Sequence, residues 1–145
     1  MISTEFSITI ARPLADVFAV LSDVEKTATW NSSAVEEHWT TPGPVGVGSR
    51  RRAVGKALGR RMENDAEVIE FEPNRKWRMR SVSGPRWDAT ATFESVDGGA
   101  RVDFAWSFDL GRVLRVFEPL LLRVFRRRFS NDLKRLKDLM ESGAL

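Results

Sequence analysis

Apolar residues occupy alternate positions at the start of the chain. Phe6, Ile8 and Ile10 fall on one side, with Glu5, Ser7 and Thr9 on the other. A period of two is that of a strand with one buried face. After Pro13 the spacing changes: Leu14, Val17, Phe18 and Leu21 recur three and four apart, as on one face of a helix. Proline suits the first helical turn, where its missing N–H has no partner to lose. The pattern predicts a strand over 2–10 and a helix from Leu14 to Leu21. A second short helix over Val24 to Thr29 follows, capped by Ser22 and Asp23 and closed by Trp30 and Asn31.

From Ala34 to Leu110 the pattern is strand and turn. Strands are expected over Ala34–Thr40, Ser49–Leu58, Arg60–Phe71, Lys76–Val82, Arg86–Ser95 and Ala100–Leu110, separated by "TPGPVGVGS", Gly59, "EPN", "SGP" and "DGG". The last two alternate most cleanly. Trp87, Ala89, Ala91 and Phe93 share a face, as do Val102, Phe104, Trp106 and Phe108. Short turns between such strands make an antiparallel meander with one wet face. After Gly111 the period is helical to about Met140, with Leu122, Phe125, Phe129, Leu133, Leu136 and Met140 on one stripe. Pro119 marks a kink or the true start of that helix. The long amphipathic helix is the element able to cover the apolar face of the sheet. The fold class is therefore α+β, a curved antiparallel sheet of about seven strands gripping one C-terminal helix.

At 145 residues, 42% of them hydrophobic, the chain is expected to form one domain over 1–145 with a substantial core. Cysteine is absent and histidine occurs once, which excludes disulfides, thiolate chemistry and histidine-rich metal sites. No metal and no cofactor are expected. Neither a basic segment leading into an apolar run nor a membrane-length apolar stretch is present, so a cytoplasmic location is expected. The net charge is only +3, its arginines scattered among acids as Arg50–Arg52, Arg60–Arg61 and Arg126–Arg128. Nucleic acid is not the expected partner. "GPVGVG" lacks the spacing and lysine of a phosphate loop.

In its order of elements the chain resembles the START/Bet v 1-like superfamily, within it the polyketide cyclase/dehydrase-like and lipid-transport branch. The resemblance rests on "ITIARPLADVFAVLSDVEKTATWN", "VGVGSR", "EVIEFEPNRKWRMR", the paired last strands and "FSNDLKRLKDLME". These are signatures of a fold rather than of a reaction. The resemblance implies a helix-grip cup with an interior cavity for an apolar or amphipathic small molecule, and a "GPVGVG" loop bordering its mouth.

On that reading the pocket is walled by Trp77, Met79, Trp87, Phe93, Phe104, Trp106 and Phe108 of the sheet. Phe117, Leu121 and Phe125 of the helix face them, and Ala89 and Ala91 leave space. The same aromatics would serve equally as solid core. Asn64, on the face opposite Glu63, Asp65 and Glu67, is the polar group expected to orient a ligand or to sit as a satisfied amide. Catalytic residues are not identified by any motif. His38 is a candidate acid/base if it points inward, and an inward carboxylate is the other source. Three functions remain open: binding, transport or sensing of a lipid- or polyketide-like molecule; cyclase/dehydratase chemistry in the same cavity; and peripheral membrane or protein contact through "RVFRRRF" (Arg123–Phe129).

Overall fold

The computed structural model describes residues 2–57 and 59–145. Seven strands, β1 (Ile2–Ile10), β2 (Ala34–Trp39), β3 (Arg50–Ala57), β4 (Arg60–Glu72), β5 (Lys76–Ser83), β6 (Arg86–Val96) and β7 (Gly99–Asp109), form one antiparallel sheet in the order β1-β7-β6-β5-β4-β3-β2. Helix α1 (Leu14–Leu21), a 3₁₀ turn (Val24–Lys26) and α2 (Thr27–Trp30) connect the two outermost strands. After β7 come α3 (Gly111–Leu114), a second 3₁₀ turn (Arg115–Phe117) and the long helix α4 (Glu118–Glu141). The expected α+β helix-grip architecture is thus the observed one. Boundaries differ by a residue or two, and the expected end of the third strand at Leu58 lies outside the described residues.

The meander runs β2 to β3 through the loop 40–49 and on to β7 through tight turns, and β1 returns to pair with β7, Ile2 opposite Phe108 and Ile10 opposite Ala100. Gly99 permits that closure, because a Cβ built there runs into the Ile10 carbonyl oxygen. Asp23 caps the 3₁₀ turn by accepting the Glu25 N–H at 3.1 Å. Pro119 sits in the first turn of α4, so it starts this helix and does not kink it.

The core lies between the sheet and the C-terminal half of α4. Phe129, Leu133, Leu136 and Met140 are buried there with Val68, Ala100, Val102 and Ile10. The Phe129 ring meets Phe6 at 4.7 Å and Phe104 at 5.4 Å between centroids. That end of α4 is also tied down by polar contacts. Arg12 donates to the Met140 carbonyl at 2.7 Å, and Glu141 accepts the Ala11 N–H at 2.8 Å. Lys137 donates to the Thr9 carbonyl at 2.6 Å. The N-terminal half of α4 is tied to β1 through Arg126, which donates to the Thr4 hydroxyl and the Glu5 carbonyl, and a cavity opens beside Phe125 and Phe129.

Candidate functional site

The cavity has two lobes, one of about 290 Å³ toward the middle of α4 (Phe125, Phe129 and Asp132) and one of about 110 Å³ beneath α1 and α2. Both have Asn31, Glu37, Arg51, Trp87, Trp106 and Phe129 in their walls. Exposed Lys56, Met62 and Pro85 rim the outer lobe, which places the mouth at the β3–β4 and β5–β6 turns.

Strand alternation puts the central arginine of the Arg50–Arg52 run inside. Arg51 is only 5% exposed, whereas its two neighbours are in solvent. Its Nη1 donates to the Asn64 carbonyl at 3.1 Å and to Asn64 Oδ1 at 3.3 Å, and its guanidinium lies 5.2 Å from the Trp87 ring centroid. Glu37, brought in from β2, stands 3.8 Å from Arg51 Nη2. Burial pushes the Glu37 carboxyl above its ordinary value, with Arg51 and a hydrogen bond from Thr27 pulling the other way. Burial likewise lowers Arg51, countered by Glu37 and Asp65, but an arginine that starts so high stays charged. A carboxyl made harder to ionise by burial thus sits beside a fixed cation.

Asn64 lies on the cavity wall, and both ends of its amide are hydrogen-bonded within the protein. Its Oδ1 also accepts Trp87 Nε1–H at 3.1 Å, and its Nδ2 donates to the Ser83 carbonyl at 2.5 Å. It orients Arg51 and Trp87 through their donors. Two other buried donors have no acceptor among the described residues, Arg51 Nε and Trp106 Nε1. Such groups cost stability when unpaired, and here both belong to residues of the cavity wall.

The aromatic wall is continuous. Trp87 and Trp106 lie 5.8 Å apart, Trp106 stacks on Phe108 at 5.6 Å, and Phe125 stacks on Phe129 at 5.7 Å between centroids. Trp77, Met79, Ala89, Ala91 and Phe104 line the inner lobe, and Phe108 and Phe125 the outer one.

Three expected wall residues are placed elsewhere, and so are His38 and the glycine loop. Phe93 packs on Phe18 at 5.0 Å in the core under α1 and lines neither lobe. Phe117 is 53% exposed, at the end of the 3₁₀ turn that precedes α4. Leu121 faces an outer groove on the far side of Phe125, not the cavity. His38 points away from the cavity, with Glu25 at 3.5 Å and Glu36 at 3.7 Å, since Glu37 and Trp39 take the inward positions of β2. The glycine loop before β3 also borders neither lobe: it lies at the opposite end of that strand from Lys56.

Asp132 is a further wall residue, 4% exposed, whose Oδ1 accepts the Ser32 N–H at 3.1 Å. Its position three residues after Phe129 is the signal that would have placed it on the inward stripe. Among the described residues no group of three or more metal-ligating side chains converges, and no helix is long and apolar enough to cross a membrane.

A family model described as polyketide cyclase/dehydrase and lipid transport matches residues 1–141. No curated protein matches the chain. Among solved structures, TTHA0849 from Thermus thermophilus superposes with a TM-score of 0.82 at 17% identity, covering 99% of this chain and 100% of that one. The di-domain ARO/CYC BexL of the BE-7585A biosynthetic pathway gives 0.72 at 19% identity, covering 97% of this chain and 47% of its own. Ara h 8.0201 gives 0.62 at 14% identity, with 93% and 97% covered. At such identities these likenesses establish the fold.

Proposed function

Because the chain belongs to the polyketide cyclase/dehydrase and lipid transport family, whose fold encloses a cavity for hydrophobic small molecules, we propose that it is a single ligand-binding domain. It carries or senses an amphipathic molecule with an apolar body and an acceptor oxygen. The observation that supports this is the pair of unpartnered donors, Arg51 Nε and Trp106 Nε1, in a largely apolar wall. Apolar burial drives binding, and the carbonyl or carboxylate oxygen of the ligand takes the free donors and fixes its direction. Trp87 and Trp106 flank the body of the ligand, and Ala89 and Ala91 leave it room on the sheet side.

One feature supports a second reading, chemistry of the cyclase/dehydratase type. Glu37, raised by burial and next to Arg51, has the setting of a general acid/base. It would take a proton from a carbon beside a carbonyl whose oxygen Arg51 holds as it gains charge. His38 has no part in either reading.

Native mass spectrometry of the purified protein, with organic extraction of its cargo, tests the proposal. A molecule of a few hundred daltons bound one to one, and depleted in Arg51→Met, is the expected result. An unchanged mass when the protein is titrated with dodecanoate overturns it. Glu37→Gln separates the readings: a carrier keeps its cargo unaltered, whereas an enzyme accumulates unreacted substrate.

A further inference from the structure

The approach to α4 and its first turns expose an apolar face that none of the described residues covers. Val113 is 83% exposed, Val116 81%, Phe117 53%, Leu120 58% and Val124 44%. Phe117, Leu120 and Val124 recur at helical spacing on the side opposite the buried Phe129. Farther along the helix the same stripe continues as Arg127, Asn131, Arg135 and Asp138, all exposed. One face of one helix thus changes from apolar to polar near Val124. Solvent exposure alone accounts for the polar half and leaves the apolar half unexplained.

Charge identifies what fits there. Between Leu110 and Phe129 the chain has six arginines, at 112, 115, 123, 126, 127 and 128, and one acid, Glu118. Arg126 is turned inward onto the Thr4 hydroxyl. Arg112, Arg115, Arg123 and Arg127 are exposed and in no ion pair among the described residues. A second copy docked on this face would set arginines against arginines. Anionic headgroups over acyl chains match both the charge and the apolar tip.

We propose that residues 111–127 form a docking surface for an anionic lipid bilayer. Val113, Val116, Phe117 and Leu120 enter the acyl boundary, and Arg112, Arg115, Arg123 and Arg127 meet the phosphates. The basic "RVFRRRF" run contributes differently from its sequence pattern, since Phe125 and Phe129 face the interior. Beneath the surface lies a groove of about 630 Å³ whose walls include Met62, Pro85, Phe125 and Arg128, residues also found in the outer lobe. Docking therefore sets the cavity mouth against the membrane.

Flotation of the full chain with vesicles of phosphatidylcholine, alone or mixed with phosphatidylglycerol, tests this. Binding is expected only to the mixed vesicles, falling steeply between about 0.05 M and about 0.5 M salt. The triple variants Val113→Ser/Phe117→Ser/Leu120→Ser and Arg112→Glu/Arg115→Glu/Arg123→Glu are each expected to lose at least about tenfold in partition. Lys134→Glu/Arg135→Glu on the polar half of α4 retains it. Arg51→Met also docks normally, which separates this surface from the cavity. Absence of binding to the mixed vesicles, or wild-type binding by both triple variants, overturns the proposal. So does reversible dimerisation in sedimentation velocity that Phe117→Ser abolishes, because a second copy would then be the occupant.

Discussion

Replacing Ala89 by leucine asks whether there is room between the sheet and α4. Ala89 sits on β6 between Met79 and Trp106 of the flanking strands, in the wall of the 110 Å³ inner lobe. Such a volume corresponds to roughly three or four waters at about 30 Å³ each, so three added carbons fit. At about 0.8 kcal/mol per buried carbon, leucine gains about 2.4 kcal/mol. Ordering its side chain returns about 0.5–1 kcal/mol. The net gain of about 1.5–2 kcal/mol corresponds to a Tm rise of roughly 3–8 °C for a chain of this size. Differential scanning calorimetry measures it. The same three carbons occupy space that a ligand would use, so affinity for dodecanoate should fall by about fiftyfold. If side chains already fill the space, leucine overpacks it at a cost of about 1–3 kcal/mol and Tm drops. A lower Tm with the fold retained would refute the cavity.

Other substitutions probe the polar frame. Asn64→Ala strips acceptors from Arg51 Nη1 and Trp87 Nε1; a loss of about 1–3 kcal/mol in urea unfolding is expected, together with weakened ligand binding. Glu37→Gln should change how stability depends on pH. The fold raises the Glu37 pKa, so its protonated form costs nothing below the ordinary carboxylate value, and stability is lost as pH rises through that value toward the raised one. Urea titrations from about pH 4 to about pH 7 should therefore show the variant gaining on the wild type, and a constant difference would count against the burial of Glu37. Asp132→Ala leaves the Ser32 N–H without its acceptor and should cost about 1–2 kcal/mol, read as a lower Tm. Gly99→Ala should open the β1–β7 end around Ile10, visible as faster amide exchange there than in the middle of β7.

Much of the fold was legible because its elements repeat a period. The alternation of Trp87 to Phe93 and of Val102 to Phe108 sets the inward faces of β6 and β7, and the stripe from Phe125 to Met140 sets the buried face of α4. The site was less legible, for reasons particular to each residue. Arg51 hides between two arginines that face solvent, so its facing depends on the register of β3 against β4. Glu37 alternates between neighbours of mixed polarity, and only the pairing of β2 with β3 decides that it, and not His38, turns inward. Phe117 and Leu121 obey helical spacing, but spacing does not tell which turns of the segment pack on the sheet and which face solvent or the outer groove. Phe93 shares a face with Ala89 and Ala91 yet lies under α1, a matter of distance along the strand. Asn64 follows from the alternation of β4, which sets it on the face opposite Glu63 and Asp65. That its amide is taken up by Arg51, Trp87 and Ser83 is a tertiary fact.

The central claim is that the space walled by Arg51, Trp87 and Trp106 is where the ligand sits. A crystal structure of the protein with dodecanoate tests it most directly. The account predicts the carboxylate within hydrogen-bond distance of Arg51 Nε, with the chain running past Trp106 toward Ala89 and Met79. A dodecanoate lying only in the outer groove by Leu114 and Leu121, with Trp87 and Phe125 closed over the interior, would contradict it.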